Sequence, residues 1–316
     1  MGRVPEDPYV AESPYQPPEC HRFVHDAMGS SFGLTLCAED EDYARQVAQT
    51  CFEEVDRLEN EMSRYVEQSD VSRINALSPG ETVRVAPATF DCLSLARKIY
   101  DGTAGAFDVT VSELVDAWRD GEPSEKELQS ILDHVGMDLL TLDEENLSVG
   151  VAKEGVTVDL GGIGKGYAVD CVASLLEDWS VESGLAHAGQ SSVLAVGPPP
   201  GKSHWPIALR DPRDQDKALT TLNLCQSAVS GSGIQLHGPH IIDPRTGRPI
   251  ERRIGAWATA PTAAQSDALS TAFMIMTPDE ARTYHEKHPH TAALVLERKG
   301  KDDIRKIAYG KLGESP

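Results

Sequence analysis

One segment constrains this chain more than any other: VTVDLGGIGKGYAVDCVASLL, residues 156–176. A β-branched run (Val156, Thr157, Val158) ends at Asp159. Gly161, Gly162, Gly164 and Gly166 follow, and a helical pattern then begins at about Lys165. An extended run, a glycine turn and a helix N-terminus make an anion-binding arrangement. The first-turn N–H groups have no intrahelical partner, and the helix dipole is positive there. Lys165 adds a cation. Two common phosphate motifs are excluded. Walker A fails because its first position is Asp159 and the residue after Lys165 is Gly166. The dinucleotide fingerprint fails because, counted from Gly162, its last position is Tyr167.

Two further segments carry candidate chemistry. AAQSDALSTAFMIM (263–276) reads as a helix with Asp267 in its first turn and Thr271 four residues on, on the same face. Asp267 then either answers the helix dipole or joins Thr271 as a pair of hard oxygen donors of the kind Mg²⁺ takes. HIIDPRTGRP (240–249) reads as a short strand turning at Asp243-Pro244 and Thr246-Gly247. Its His240 is either structural or a general base titrating near neutrality.

The remaining pattern mixes helices and strands without a βαβ rhythm. It predicts an α+β fold in which mixed or antiparallel sheets pack against helices. Helices are predicted over 40–62, where Val47, Cys51, Val55, Leu58 and Met62 share one side, and over 89–100, 110–118, 165–179, 263–276 and 278–285. Strands are predicted near 31–37, 138–142, 146–151 and 155–160, across 185–260, and near 291–298 and 303–309. Residues 1–20, with five prolines, read as a disordered or wrapping arm, and residues 21–316 as a single domain.

Charge narrows the partners. Lys plus Arg number 29 against 50 Asp plus Glu, a formal charge of −21, and aromatics are only 6 % of residues. Such a chain is repelled by phosphate backbones and anionic membranes and has few rings for base stacking, so nucleic acid is not expected as a partner. No apolar run approaches bilayer length and no signal-peptide pattern opens the chain. As written it reads as cytoplasmic, or exported if a leader was removed. The six cysteines include no CxxC pair and are expected to be buried or idle thiols.

Taken in order, MGSSF (from Met28), MSRYVEQSDVSRIN (62–75), GAFDVTVSELVDAW (105–118), VDLGGIGKGYAVD (158–170), HIIDPRTGRP and SDALSTA (266–272) resemble the ApbE family of FAD:protein FMN transferases. The resemblance implies an ApbE-like fold and Mg²⁺-dependent transfer of FMN from FAD to a threonine of an acceptor flavoprotein, with AMP released. It implies FAD contacts at Met28, Ala106, Phe107, Asp108, Asp159, Lys165 and Ile241. It implies metal ligation by Asp267, Thr271 and a main-chain oxygen of Gly162, and a catalytic base at His240. With water as acceptor, the same site would be an FAD pyrophosphatase giving FMN and AMP. The chain departs from the family at His187-Ala188-Gly189-Gln190-Ser191, where the family has Asn-Ala-Gly-Gly-Asp. That change leaves an FAD-binding protein without turnover as a further alternative.

Overall fold

The computed structural model describes residues 10–11, 20–234, 241–300 and 303–312. The described chain runs β1 (Val10–Ala11), β2 (Cys20–Ala27), β3 (Ser30–Cys37), α1 (Glu41–Met62), α2 (Asp70–Asn75), β4 (Thr82–Arg84), α3 (Pro87–Gly102), α4 (Ser112–Asp120), α5 (Glu125–Leu132), β5 (Leu140–Asp143), β6 (Ser148–Val151) and α6 (Gly164–Asp178). It continues through β7 (Gly184–Ala188), β8 (Ser192–Gly197), β9 (Trp205–Asp211), β10 (Asp214–Leu224), β11 (Ser227–Gly233), β12 (Ile242–Asp243), β13 (Arg248–Pro249), β14 (Arg253–Ala260), α7 (Ala263–Ile275), α8 (Pro278–Lys287), β15 (Ala292–Arg298) and β16 (Ile304–Tyr309).

An eight-stranded sheet in the order β16-β15-β14-β11-β8-β7-β3-β2 organises the molecule, with every neighbour antiparallel. Period-2 alternation sends its side chains to two cores. Phe32, Leu34, Leu36, Ala256 and Ala258 face a layer containing α1, α6 and α7. Leu185, Val193, Ile254, Trp257 and Leu296 face the other way, onto Trp205, Ile207, Leu209 and Leu222 of the smaller sheet β1-β9-β10. The α+β expectation therefore holds, with antiparallel pairing in every sheet described.

Local sequence accounts for the ends. Asp40 caps α1 by accepting from the N–H groups of Asp42 and Tyr43 at 2.9 and 3.3 Å. Val47, Cys51, Val55, Leu58 and Met62 form its buried face, as their spacing predicts. Helix α5, absent from the sequence-based expectation, opens on a capping box between Ser124 and Glu127.

Two expectations need correction. Residues 155–160 do not form a strand. Asn75 uses its side-chain amide to accept from the Val158 N–H at 2.7 Å and donate to the Val158 carbonyl at 3.0 Å, and the Asp159 N–H bonds Val109 O at 2.8 Å. The backbone is satisfied by a side chain and a loop, so an extended run needs no ladder. The cysteines are not all idle thiols either, because Cys20 and Cys37 form a disulfide. They are directly opposed across the β2–β3 hairpin, a register that linear spacing does not reveal. Cys51 and Cys92 are fully buried and unpaired.

Candidate active site

One cavity of about 500 Å³ gathers most of the candidate residues. Its first wall is the segment after α3. Ala104 and Gly105 both take left-handed backbone, at φ 51° and 76°, and turn the chain sharply inward. Ala106, Phe107 and Asp108 then line the cavity. The Thr103 hydroxyl accepts the Phe107 N–H at 3.2 Å, which fixes the turn. Asp108 accepts from the N–H and hydroxyl of Thr110 at 2.8 and 2.6 Å. Burial nevertheless pushes its carboxyl up to about 6, because desolvation of the charged form outweighs those bonds.

The second wall is the glycine loop, with Asp159, Gly161, Gly162 and Lys165 on the lining. Asp159 accepts from the Gly161 N–H at 2.8 Å and lies 3.5 Å from Arg64 Nε. Arg64 is also held by Asp116 at 2.9 Å. These glycines do not serve a left-handed turn, since none of the four has positive φ. They provide room. A Cβ on Gly162 would stand 3.3 Å from the Phe107 ring and 3.9 Å from Thr271 Oγ1. One on Gly166 would overlap the Ala263 carbonyl oxygen.

Helix α7 supplies the third wall, where Asp267 and Thr271 both line the cavity as their i, i+4 spacing predicts. Asp267 is 4 % exposed and lies in the second turn, since α7 starts at Ala263, so it does not answer its own helix's first turn. It instead accepts the Gly166 N–H of α6 at 3.1 Å. Thr271 Oγ1 lies 3.1 Å from the Ser232 hydroxyl, which also bonds Ser270 at 2.7 Å.

The closing wall comes from α4 and the turn after β11. Ser112, Val115 and Arg119 face Ile241, Ile242 and Pro244. The turn is docked on α4 by a bond from Trp118 Nε1 to Gly247 O at 2.7 Å. At Gly247, φ is +68°, and a Cβ would stand 2.6 Å from Leu128 Cδ1. His240 lies outside the described residues, and Ile241, next in the chain, is on the lining. Met28, at φ 50° in the β2–β3 turn, is half-buried against the main core and is not among the lining residues. Sequence reasoning missed Arg119, Ser191 and Ser232, which line the cavity. Ser191 is the last residue of the departing HAGQS stretch, so that departure reaches the site.

The donor set suits Mg²⁺. Among the described residues no three His, Cys, Asp or Glu side chains cluster as a metal cage. Asp267, Thr271 and Gly162 line the same cavity, and a carboxylate, a hydroxyl and loop main chain are oxygen donors of the kind Mg²⁺ accepts when substrate oxygens and water complete its shell.

The fold is that of solved flavin transferases. The chain superposes on the ApbE protein of Thermotoga maritima with a TM-score of 0.80 at 30 % identity, covering 91 % of this chain and 96 % of that one. It superposes on the flavin transferase ApbE of Vibrio cholerae with a TM-score of 0.82 at 25 % identity, covering 93 % and 98 %. The sequence pattern of the ApbE family matches residues 28–295, and the chain belongs to that family. Among its relatives, the FAD:protein FMN transferase of Haemophilus influenzae is 31 % identical over 256 residues, 74 % of each chain. That of Escherichia coli K12 is 27 % identical over 277 residues, 81 % of this chain and 78 % of the relative.

Proposed function

We propose that this chain transfers FMN from FAD to a threonine hydroxyl of an acceptor flavoprotein and releases AMP, with Mg²⁺ held by Asp267, Thr271 and the main-chain oxygen of Gly162. The observation that carries this reading is the convergence of Asp267, Thr271 and Gly162 on one cavity with Ala106, Phe107 and Asp108. When bound, the cation supplies Lewis acidity that offsets charge on the diphosphate oxygens.

The chain's own groups do the rest. Ala106 and Phe107 form an apolar wall for the nucleotide. Asp108 is set by Thr110, and Asp159 by Gly161 and Arg64, to accept from it. Lys165, on the cavity lining, supplies a cation for the anionic diphosphate. Ile241 flanks the FMN half. His240 takes the threonine proton as its oxygen bonds the FMN phosphorus. The bond from that phosphorus to the bridging oxygen breaks, and the electron pair leaves with AMP. The Cys20–Cys37 disulfide supports the exported of the two locations expected above, since such bonds persist in oxidising compartments.

The test is incubation with FAD, Mg²⁺ and an acceptor domain carrying the target threonine, read as covalent flavin fluorescence in a denaturing gel. Labelling that disappears with chelator and with Asp267→Ala supports the reading. Release of AMP and FMN without labelling would replace it with a pyrophosphatase, and FAD bound but intact with every acceptor would replace it with a binding protein.

A further inference from the structure

The first turns of α6 and α7 meet, and each helix carries an aspartate that takes N–H groups from the other. Asp170 on α6 accepts from the N–H groups of Ala263 and Ala264, the first two residues of α7, at 2.6 and 2.8 Å. Asp267 on α7 accepts from the N–H of Gly166, the third residue of α6, at 3.1 Å. The N-cap of α7, Thr262, accepts from Gln265 at 3.3 Å and leaves the first two N–H groups to Asp170. Gly166 makes the approach possible, because a Cβ there would overlap the Ala263 carbonyl oxygen and stand 2.8 Å from the Ala264 Cα. Asp170 is not among the residues lining the cavity, so nothing in its surroundings points to contact with substrate.

We propose that Asp170 is a positioning residue for the cation site: by fixing the first turn of α7 on α6, it sets where Asp267 and Thr271 stand against Gly162. The inference rests on the cation reading given above. Two of the three proposed ligands ride on α7 and the third precedes α6, so the distance between them is the distance between these two helix starts. Mg²⁺ demands near-ideal octahedral geometry at about 2.0–2.1 Å, whereas Ca²⁺ accepts longer and more irregular shells. A loosened clasp therefore penalises Mg²⁺ more than Ca²⁺. A role confined to holding the fold together would not alter that preference. Groups that orient ligands from outside the first shell typically change metal affinity by about 10–100-fold.

The experiment titrates Mn²⁺ into the full chain with FAD present and no acceptor, reads free Mn²⁺ by electron paramagnetic resonance, and displaces the bound ion with Mg²⁺ or Ca²⁺. Asp170→Asn keeps the side-chain volume and one acceptor oxygen. It is expected to weaken Mn²⁺ by about tenfold and to lower the Mg²⁺-over-Ca²⁺ preference, with Asp170→Glu recovering part of both. Gly166→Ala pushes the same two turns apart with Asp170 intact and is expected to give the same signature. Asp267→Asn separates the two levels of the argument. If it binds Mn²⁺ like the wild type, the cation reading itself fails. If it loses Mn²⁺ while Asp170→Asn binds within twofold of wild type at a lower melting temperature, the cation reading stands and the positioning role is overturned.

Discussion

The two faces of the eight-stranded sheet are finished in opposite ways. On the face toward β9 and β10, Trp205 and Trp257 are fully buried among Ile207, Leu209, Leu222 and Leu296. The Trp205 indole N–H finds the Gly197 carbonyl at 2.7 Å. On the face toward α7, that helix is buried on almost every side yet carries Ser266, Asp267, Ser270 and Thr271 inward. Each meets a polar partner: Ser266 bonds Ser230 at 2.7 Å, Ser270 bonds Ser232 at 2.7 Å, Asp267 takes Gly166, and Thr271 reaches Ser232. The first face derives its energy from area and tolerates repacking. The second depends on donor–acceptor distances, and a few tenths of an ångström there matter to chemistry before they matter to folding.

That contrast can be broken by experiment. Trp257→Ala is expected to cost about 3–5 kcal/mol in denaturant unfolding while leaving cation affinity per folded molecule unchanged. A matching loss of cation affinity would show that the two faces are not separable. Asp267→Ala should do the reverse and reduce flavin transfer by about 10²–10³-fold, as removal of a group that stabilises developing charge does. Its stability loss should stay near the roughly 1–3 kcal/mol of leaving the Gly166 N–H unpaired.

The third test uses pH. Burial raises the folded-state carboxyl of Asp108 from 3.8 to about 6, so the folded protein binds that proton more tightly than the unfolded chain does. The stability this group contributes is full below about pH 4 and is lost as pH rises through 6, a change of at most about 3 kcal/mol. Asp108→Asn should remove that slope. Urea titrations at pH 4.5, 5.5 and 7 should therefore find the variant gaining on the wild type as pH rises, and parallel curves would refute it. The smallest effect is expected at the docking of the 241–249 turn. Trp118→Phe removes the indole bond to Gly247 O and should cost about 1 kcal/mol, with a rise in KM for FAD exceeding any fall in kcat.

Local signals were readable in the sequence; pairings across long stretches of chain were not. The buried stripe of α1 and the shared face of Asp267 and Thr271 follow from helical period alone. The glycine loop was recognisable as a turn before a helix N-terminus that suits an anion, but its spacing could not say that its glycines make room for Phe107, Thr271 and Ala263. The β-branched run 156–158 looked like a strand because propensity cannot see Asn75 taking over its hydrogen bonds. The helix-dipole alternative for Asp267 stayed open in the sequence because nothing local indicates that Asp170 already holds the first turn. Cys20 and Cys37 became a pair only once the β2–β3 register was known. Arg119 had no motif to announce it, whereas the start of α5 carries a local signal, the S-x-x-E of its capping box.

The clasp between α6 and α7 joins residues 93 to 101 positions apart in the chain. Closing a loop of that length costs about 4 kcal/mol of chain entropy before any contact repays it. The order of synthesis then becomes part of the protein's chemistry. A nascent chain that has passed its glycine loop and six of the eight strands of the large sheet still lacks Asp267 and Thr271, the side chains proposed above to hold the cation. On the reading proposed above, the cation site is completed only once α7 has been made and has met α6.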